Sequence, residues 1–139
     1  MASQPSRAAR PLPGPSGPFV WGMAVFLAGW IVPGLGHALL GRWSRAVVFC
    51  LSVVALAGAG VWLRGVVFTG QATDLFGLLG FLADLGAGVL YPLARSSGIV
   101  ADVSRAAGDY GTRFFAAAGT LNLLCAFDAY AVATGHKPR

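Results

Sequence analysis

Of the 139 residues, 56% are hydrophobic and only 11% are charged, whereas a soluble domain usually carries about a quarter charged residues. A surface so poor in charge calls for lipid around it, which argues against a water-exposed globule and for the lipid bilayer as a partner. The formal net charge of +5 is spread over tails and connections rather than gathered with aromatics on one face, so nucleic acid is not expected as a partner.

The segment Met1–Pro18 holds five prolines, three serines, Arg7 and Arg10, and almost nothing apolar to bury. It reads as a disordered tail, residues 1–18. With the apolar run Phe19–Val32 it resembles a signal peptide, but Pro33-Gly-Leu-Gly-His37 makes a poor cleavage site, so the run is expected to be retained.

A crossing helix needs about 20 residues at 1.5 Å each. Phe19–Val32, at 14 residues, is too short, and extension to Gly41 gives 23. The first crossing is therefore expected over Phe19–Gly41, interrupted at Pro33, Gly34 and Gly36. Pro33 removes a backbone donor and clashes with the preceding turn. Backbone opened at membrane depth must face protein or water. Gly41, Arg42 and Trp43 then suit a turn at the headgroups, with Arg42 and Arg45 marking it.

The second crossing is expected over Ala46–Leu63 between Arg45 and Arg64, which can snorkel to the headgroups. Its small residues recur as Ala55-x-x-x-Ala59 and Leu56-x-x-x-Gly60, a helix-packing pattern. The third is expected over Leu75–Ala94, N-capped by Asp74. Gly77, Gly80, Asp84 and Gly88 lie on one face of it, with Pro92 in the last turn. Between Ser96 and Gly111, Ile99, Val103, Ala106, Ala107 and Tyr110 recur at helical spacing opposite Asp102, Arg105 and Asp109. That pattern predicts a short amphipathic surface helix with two intrahelical ion pairs. The fourth crossing is expected over Phe114–Ala133, before a basic C-terminal tail, residues 135–139.

The expected architecture is an all-α integral membrane protein. It has about four transmembrane helices, a surface helix between the third and fourth, and a single helical domain over residues 19–134. An even number of crossings places both tails on one side of a cell (inner) membrane. Arginines and lysines divide five against five between the two sides, so charge does not orient the chain. For want of an export signal, the tails are expected in the cytoplasm.

The candidate site is a polar cluster inside the membrane, formed by Asp84, Asn122, His37 and Asp128. A mid-bilayer carboxylate costs at least about 2.5–3.5 kcal/mol on insertion scales, so Asp84 marks either a function or a pairing site. As a pairing group it would bond Asn122, His37 or the opened backbone of the break. Asp128 falls nearer an interface. His37 has no second ligand at helical spacing, Ser52 has no nearby base, and Cys50 and Cys125 both sit in apolar runs. Neither a metal site, a cofactor nor a catalytic centre is expected, and the chain is not expected to be an enzyme.

The stretch Pro33-Gly-Leu-Gly-His-Ala-Leu-Leu-Gly-Arg-Trp-Ser-Arg45 resembles the motif of the two-transmembrane-domain family. It departs by one residue between His37 and Gly41, and by Leu39 and Leu40 where aromatics are usual. Together with Asp109-Tyr-Gly-Thr112, Asn122-Leu-Leu124 and Asp128-Ala-Tyr130, it resembles small bacterial membrane proteins of unknown function from about Trp21 to Lys137. That likeness implies an architecture without an activity. The expected role is an accessory or packing subunit that associates with itself, as a homo-oligomer, or with a larger membrane complex. The competing expectation is a proton- or ion-coupled transport element centred on Asp84.

Overall fold

The computed structural model describes residues 17–71, 73–102 and 104–136. The N-terminal tail to residue 16 and the basic residues 137–139 lie outside the described residues, so the two tail expectations fall mostly outside them too. Among the described residues six helices follow in order: α1 (Pro18–Ile31), α2 (Leu35–Leu39), α3 (Trp43–Trp62), α4 (Leu75–Leu85), α5 (Leu90–Ser96) and α6 (Ala106–Ala133). No strand occurs among the described residues.

The longest, α6, has 28 residues and buries one stripe running through Gly108, Gly111, Phe115, Ala118, Asn122, Ala126, Ala129 and Val132. Steps of three and four residues keep these positions on one face. The helix closes at Gly135, φ 81°, where the His136 and Gly135 amides reach back to the carbonyls of Ala131 and Val132. This is the double bond of a Schellman ending. The 20-residue α3 buries Val53, Ala57 and Gly60 against this stripe. Of the two small-residue patterns read from the sequence, the one ending at Gly60 is in the contact, whereas Ala55 is exposed. Gly65 and Arg64 close α3 in the same way, bonding back to Gly60 and Val61. Arg64 takes the left-handed position usually given to glycine, at φ 57°.

Levels along α6 show how the short helices run. Gly22 near the start of α1 faces Tyr130 and Thr134, and Gly29 faces Ala126. Asn122 bonds the carbonyl of Trp30. Then the chain reverses. Gly36 of α2 lies against Gly29, the Val25 carbonyl and Ala129, and His37 reaches Asp128. So α1 descends half the length of α6 and α2 climbs back. Pro33 explains the reversal. Val32 before it is extended, φ −119° and ψ 115°, as a residue preceding proline prefers. Gly34 beyond it is left-handed, φ 83°.

The second half repeats this plan from the opposite end. Asp74 caps α4 by accepting from the Gly77 amide at 3.0 Å, as expected from the sequence. The helix rises to the level of Gly119 and Asn122, and then α5 bends away by 110°. A bend past a right angle sends α5 back toward the end from which α4 came. Each half of the chain is therefore a folded-back pair followed by a long helix. The end holding Gly22, His37 and Tyr130 is termed the tail end here, and the end holding Leu63 and Ala106 the loop end.

Of the about four transmembrane helices expected, α3 and α6 are long and apolar enough to span a membrane, and the bent pair α4–α5 makes a third only if it counts as one span. The expected break is present at Pro33 and Gly34, with Gly36 in the short α2 beyond it. The apolar α1 has 14 residues, about 21 Å at the α-helical rise, and turns back instead of continuing to Gly41. The surface helix expected over Ser96–Gly111 is corrected: no separate helix stands there among the described residues. Gly98 is left-handed, φ 68°, and ends α5. The Ser104 amide and hydroxyl both bond the Asp102 carboxylate, offering the chain a local alternative to helix. Residues 106–111 instead form the first turns of α6, where Asp109 pairs with Arg113 at 2.7 Å, while Arg105 pairs with Asp102 at 3.3 Å from coil.

Candidate functional site

An α-helix ends with carbonyl groups that no helical amide can satisfy. Two such ends, of α1 and α4, meet beside Asn122, near the middle of α6. The Asn122 side-chain nitrogen donates to the Trp30 carbonyl at 2.8 Å and to the Gly86 carbonyl at 2.9 Å. Both partners are acceptors, so chemistry fixes which end of the amide faces them. The Val89 amide donates to the Ile31 carbonyl at 2.9 Å, and the Trp30 indole donates to the Leu85 carbonyl at 3.2 Å. The negative ends of two helix dipoles are thus held together by three donors.

Gly88 makes this closeness achievable. A Cβ there would strike the carbonyl oxygens of Trp30 and Ile31, and its φ of 62° suits glycine. Asn122 is wholly buried, and its Oδ1 has no hydrogen-bond partner among the described residues.

Asp84 directly precedes the Leu85 of this junction and is also wholly buried. Its Oδ2 accepts from the Phe68 amide at 2.7 Å. The Phe68 carbonyl accepts in turn from the Tyr91 hydroxyl at 3.0 Å. One residue of the α3–α4 connection is therefore gripped on both backbone groups, by Asp84 from α4 and Tyr91 from α5. The Phe68 ring covers Gly80. Asp84 Oδ1 is buried without a hydrogen-bond partner among the described residues.

The other two members of the expected cluster lie toward the tail end. His37, 1% exposed, places Nε2 3.1 Å from Asp128 Oδ2, and Arg45 of α3 approaches the same oxygen at 4.0 Å. The Phe49 ring meets the imidazole edgewise with centroids 4.9 Å apart. This links α2, α3 and α6 at partly exposed depth. The Arg42 amide bonds the His37 carbonyl at 2.9 Å, closing the turn through Gly41, whose φ is 73°.

The four polar residues thus do not form one cluster. His37 and Asp128 pair, Asn122 joins two helix ends, and Asp84 holds a loop; Asp84 touches neither His37 nor Asn122 by any bond found here. No group of three His, Cys, Asp or Glu side chains comes together among the described residues. Sequence reasoning missed Gly86 and Phe68, and it read Gly88 only as part of a small-residue face and Tyr91 only as an interfacial aromatic. Gly86-Ala-Gly88 could have been read as a break, since two glycines so close weaken a helix; nothing in sequence marks the backbone of Phe68.

This geometry can be set beside known proteins. Residues 24–138 match DUF6677, a family of unknown function. The chain belongs to that family. The match covers nearly all of the span over which the sequence resembles small membrane proteins of unknown function. No curated protein and no solved structure matches the chain.

Proposed function

We propose that this DUF6677 member is a non-enzymatic accessory or packing subunit of a membrane, associating with itself or with a larger membrane complex. The observation that supports it is the use made of the deepest polar groups. Asn122 and Asp84 bond the protein's own backbone, which is what polar side chains do when they hold a membrane bundle together. Outside, apolar side chains such as Leu51, Phe76 and Phe127 are 64%, 84% and 57% exposed, a surface that lipid or a partner helix covers.

In this reading α3 and α6 cross the bilayer, while α1–α2 and α4–α5 are re-entrant pairs inserted from opposite sides. Both tails then share a side with Arg42 and Arg45, and the loop end faces the other. Affinity purification of the tagged chain in mild detergent, followed by mass determination, tests the role. A stoichiometric partner or a defined oligomer is expected, and a monodisperse monomer with nothing bound would sink it.

One observation favours the second reading, a proton- or ion-coupled element at Asp84. Its Oδ1 is buried beside a helix break without a hydrogen-bond partner among the described residues. Proteoliposomes loaded with a pH dye separate the readings: a flux lost in Asp84→Asn, with folding kept, selects transport.

A further inference from the structure

Where α3 ends and α6 begins, the loop end carries a notch of about 220 Å3 lined by Trp62, Leu63, Arg64, Asp102, Arg105 and Ala107. Its walls are fixed by backbone. The Asp102 amide donates to the Arg64 carbonyl at 3.0 Å, tying the α5–α6 connection to the last turn of α3. Arg64 is turned out of the helix line by its left-handed backbone. Arg105 Nε meets Asp102 Oδ2 at 3.3 Å. Two guanidinium groups and one carboxylate leave the notch with a net positive charge. The Ser104 hydroxyl above all, with help from the Arg105 and Arg64 guanidinium groups, holds the Asp102 carboxyl below its ordinary value, so that carboxylate stays ionised and does not fill the notch as a neutral acid. Trp62, 83% exposed, and Leu63 give the notch an apolar side.

We propose that this notch binds the phosphate of an anionic lipid headgroup. Arg64 and Arg105 take the phosphate oxygens, and Trp62 lies against the glycerol and upper acyl region. The depth fits, because α3 and α6, read above as the two crossings, end and begin here. An aromatic beside arginines at a helix end is the composition of the headgroup zone, and basic pockets between crossing helices receive anionic headgroups. A free phosphate would engage the arginines equally but would make no use of Trp62 and Leu63. The inference rests on the membrane reading, so its test separates the two.

The full-length chain is placed in phosphatidylcholine nanodiscs, and binding of added phosphatidylglycerol is followed by native mass spectrometry. Arg64→Gln with Arg105→Gln is expected to weaken that binding by at least about tenfold, given what charge-assisted hydrogen bonds contribute. Arg95→Gln with Arg113→Gln removes the same charge from the same end and is expected to change it less than about twofold, as for screened surface charge. Asp102→Asn removes the competing carboxylate and is expected to tighten binding. Equal losses in the two double variants, or no loss in the first, would overturn the notch. Inorganic phosphate displacing the lipid at comparable concentration would overturn the lipid as its occupant. Release of wild-type chain from carbonate-washed membranes would overturn the membrane reading and this one together, whereas retention with unchanged lipid binding overturns this one alone.

Discussion

The amide of Val89 donates to the carbonyl of Ile31 across 2.9 Å, joining two chain reversals that enter the bundle from opposite ends. Around that bond, three donors reach the two helix ends from other elements: the Asn122 amide from α6, the Trp30 indole from α1 and the Val89 amide from the second break. The junction is thus held by cross-links in addition to the local turn that ends α4.

Asn122 should be the most sensitive of these cross-links. Asn122→Leu keeps the volume but removes both donors, and each interhelical hydrogen bond contributes about 0.6 kcal/mol, at most about 1.7. A loss of roughly 1–3 kcal/mol is expected in detergent unfolding. Asn122→Asp presents oxygens to the two carbonyls and should lose more than the leucine variant. If the leucine variant unfolds with wild type, the junction does not depend on Asn122.

Close approach of α4 to α6 gives the second prediction. A Cβ on Gly119 would strike the Ala83 carbonyl oxygen, so Gly119→Ala forces the helices apart and should cost about 1–3 kcal/mol, as overpacking does. Gly58 on the outer face of α3 has nothing near its Cβ position. Gly58→Ala should be neutral or stabilising by up to about 1 kcal/mol through helix propensity. Paired thermal melts decide it, and opposite signs are expected.

For Asp84, the bond to the Phe68 amide needs only an acceptor. Asp84→Asn retains one and should fold and assemble as wild type does. Asp84→Leu leaves the Phe68 amide unsatisfied and should lose about 1–3 kcal/mol. Amide hydrogen exchange at Phe68 is the direct readout: fast in the leucine variant, protected in the asparagine variant. Rapid exchange in wild type would show that the bond does not persist.

Sidedness separates re-entrant pairs from four crossings. In a chain with Cys50 and Cys125 replaced by alanine, single cysteines at Ser6, Ser44, Gln71 and Ser97 are treated with an impermeant reagent. With two crossings, Ser6 and Ser44 share one side and Gln71 and Ser97 the other. With four, Ser6 pairs with Gln71 and Ser44 with Ser97. The second pattern would return α1–α2 and α4–α5 to full spans.

What the sequence shows and what it hides divide along the range of the interactions. Helices α3 and α6 are legible because length and hydropathy are local, and so is the Asp74 cap. Pro33 and Gly34 announce a break, since proline acts on its own turn. The direction after the break is not local: only Gly36 against Val25 and His37 against Asp128 reveal that α2 climbs back. The polar residues were visible as a set, but their partners are backbone groups of Phe68, Trp30 and Gly86, which carry no signature in residue type. The periodicity of Ile99 to Tyr110 was real but cut at Arg105, because Asp102 prefers its bonds with Ser104 and Arg64.

The 92-residue separation between Trp30 and Asn122 sets an order on the making of the protein. At roughly 5–20 residues per second of synthesis, the first folded-back pair emerges roughly 5–20 s before the side chain that caps it. Through that interval the Trp30 carbonyl lacks the Asn122 donor, and until Val89 is made, 33 residues before Asn122, the Ile31 carbonyl lacks its donor too. On the membrane reading proposed above, the N-terminal half would wait in the aqueous passage of the insertion machinery, or at the membrane surface, until the last helix arrives. A ribosome stalled before Asn122 should therefore hold a nascent chain whose first pair is still open to protease.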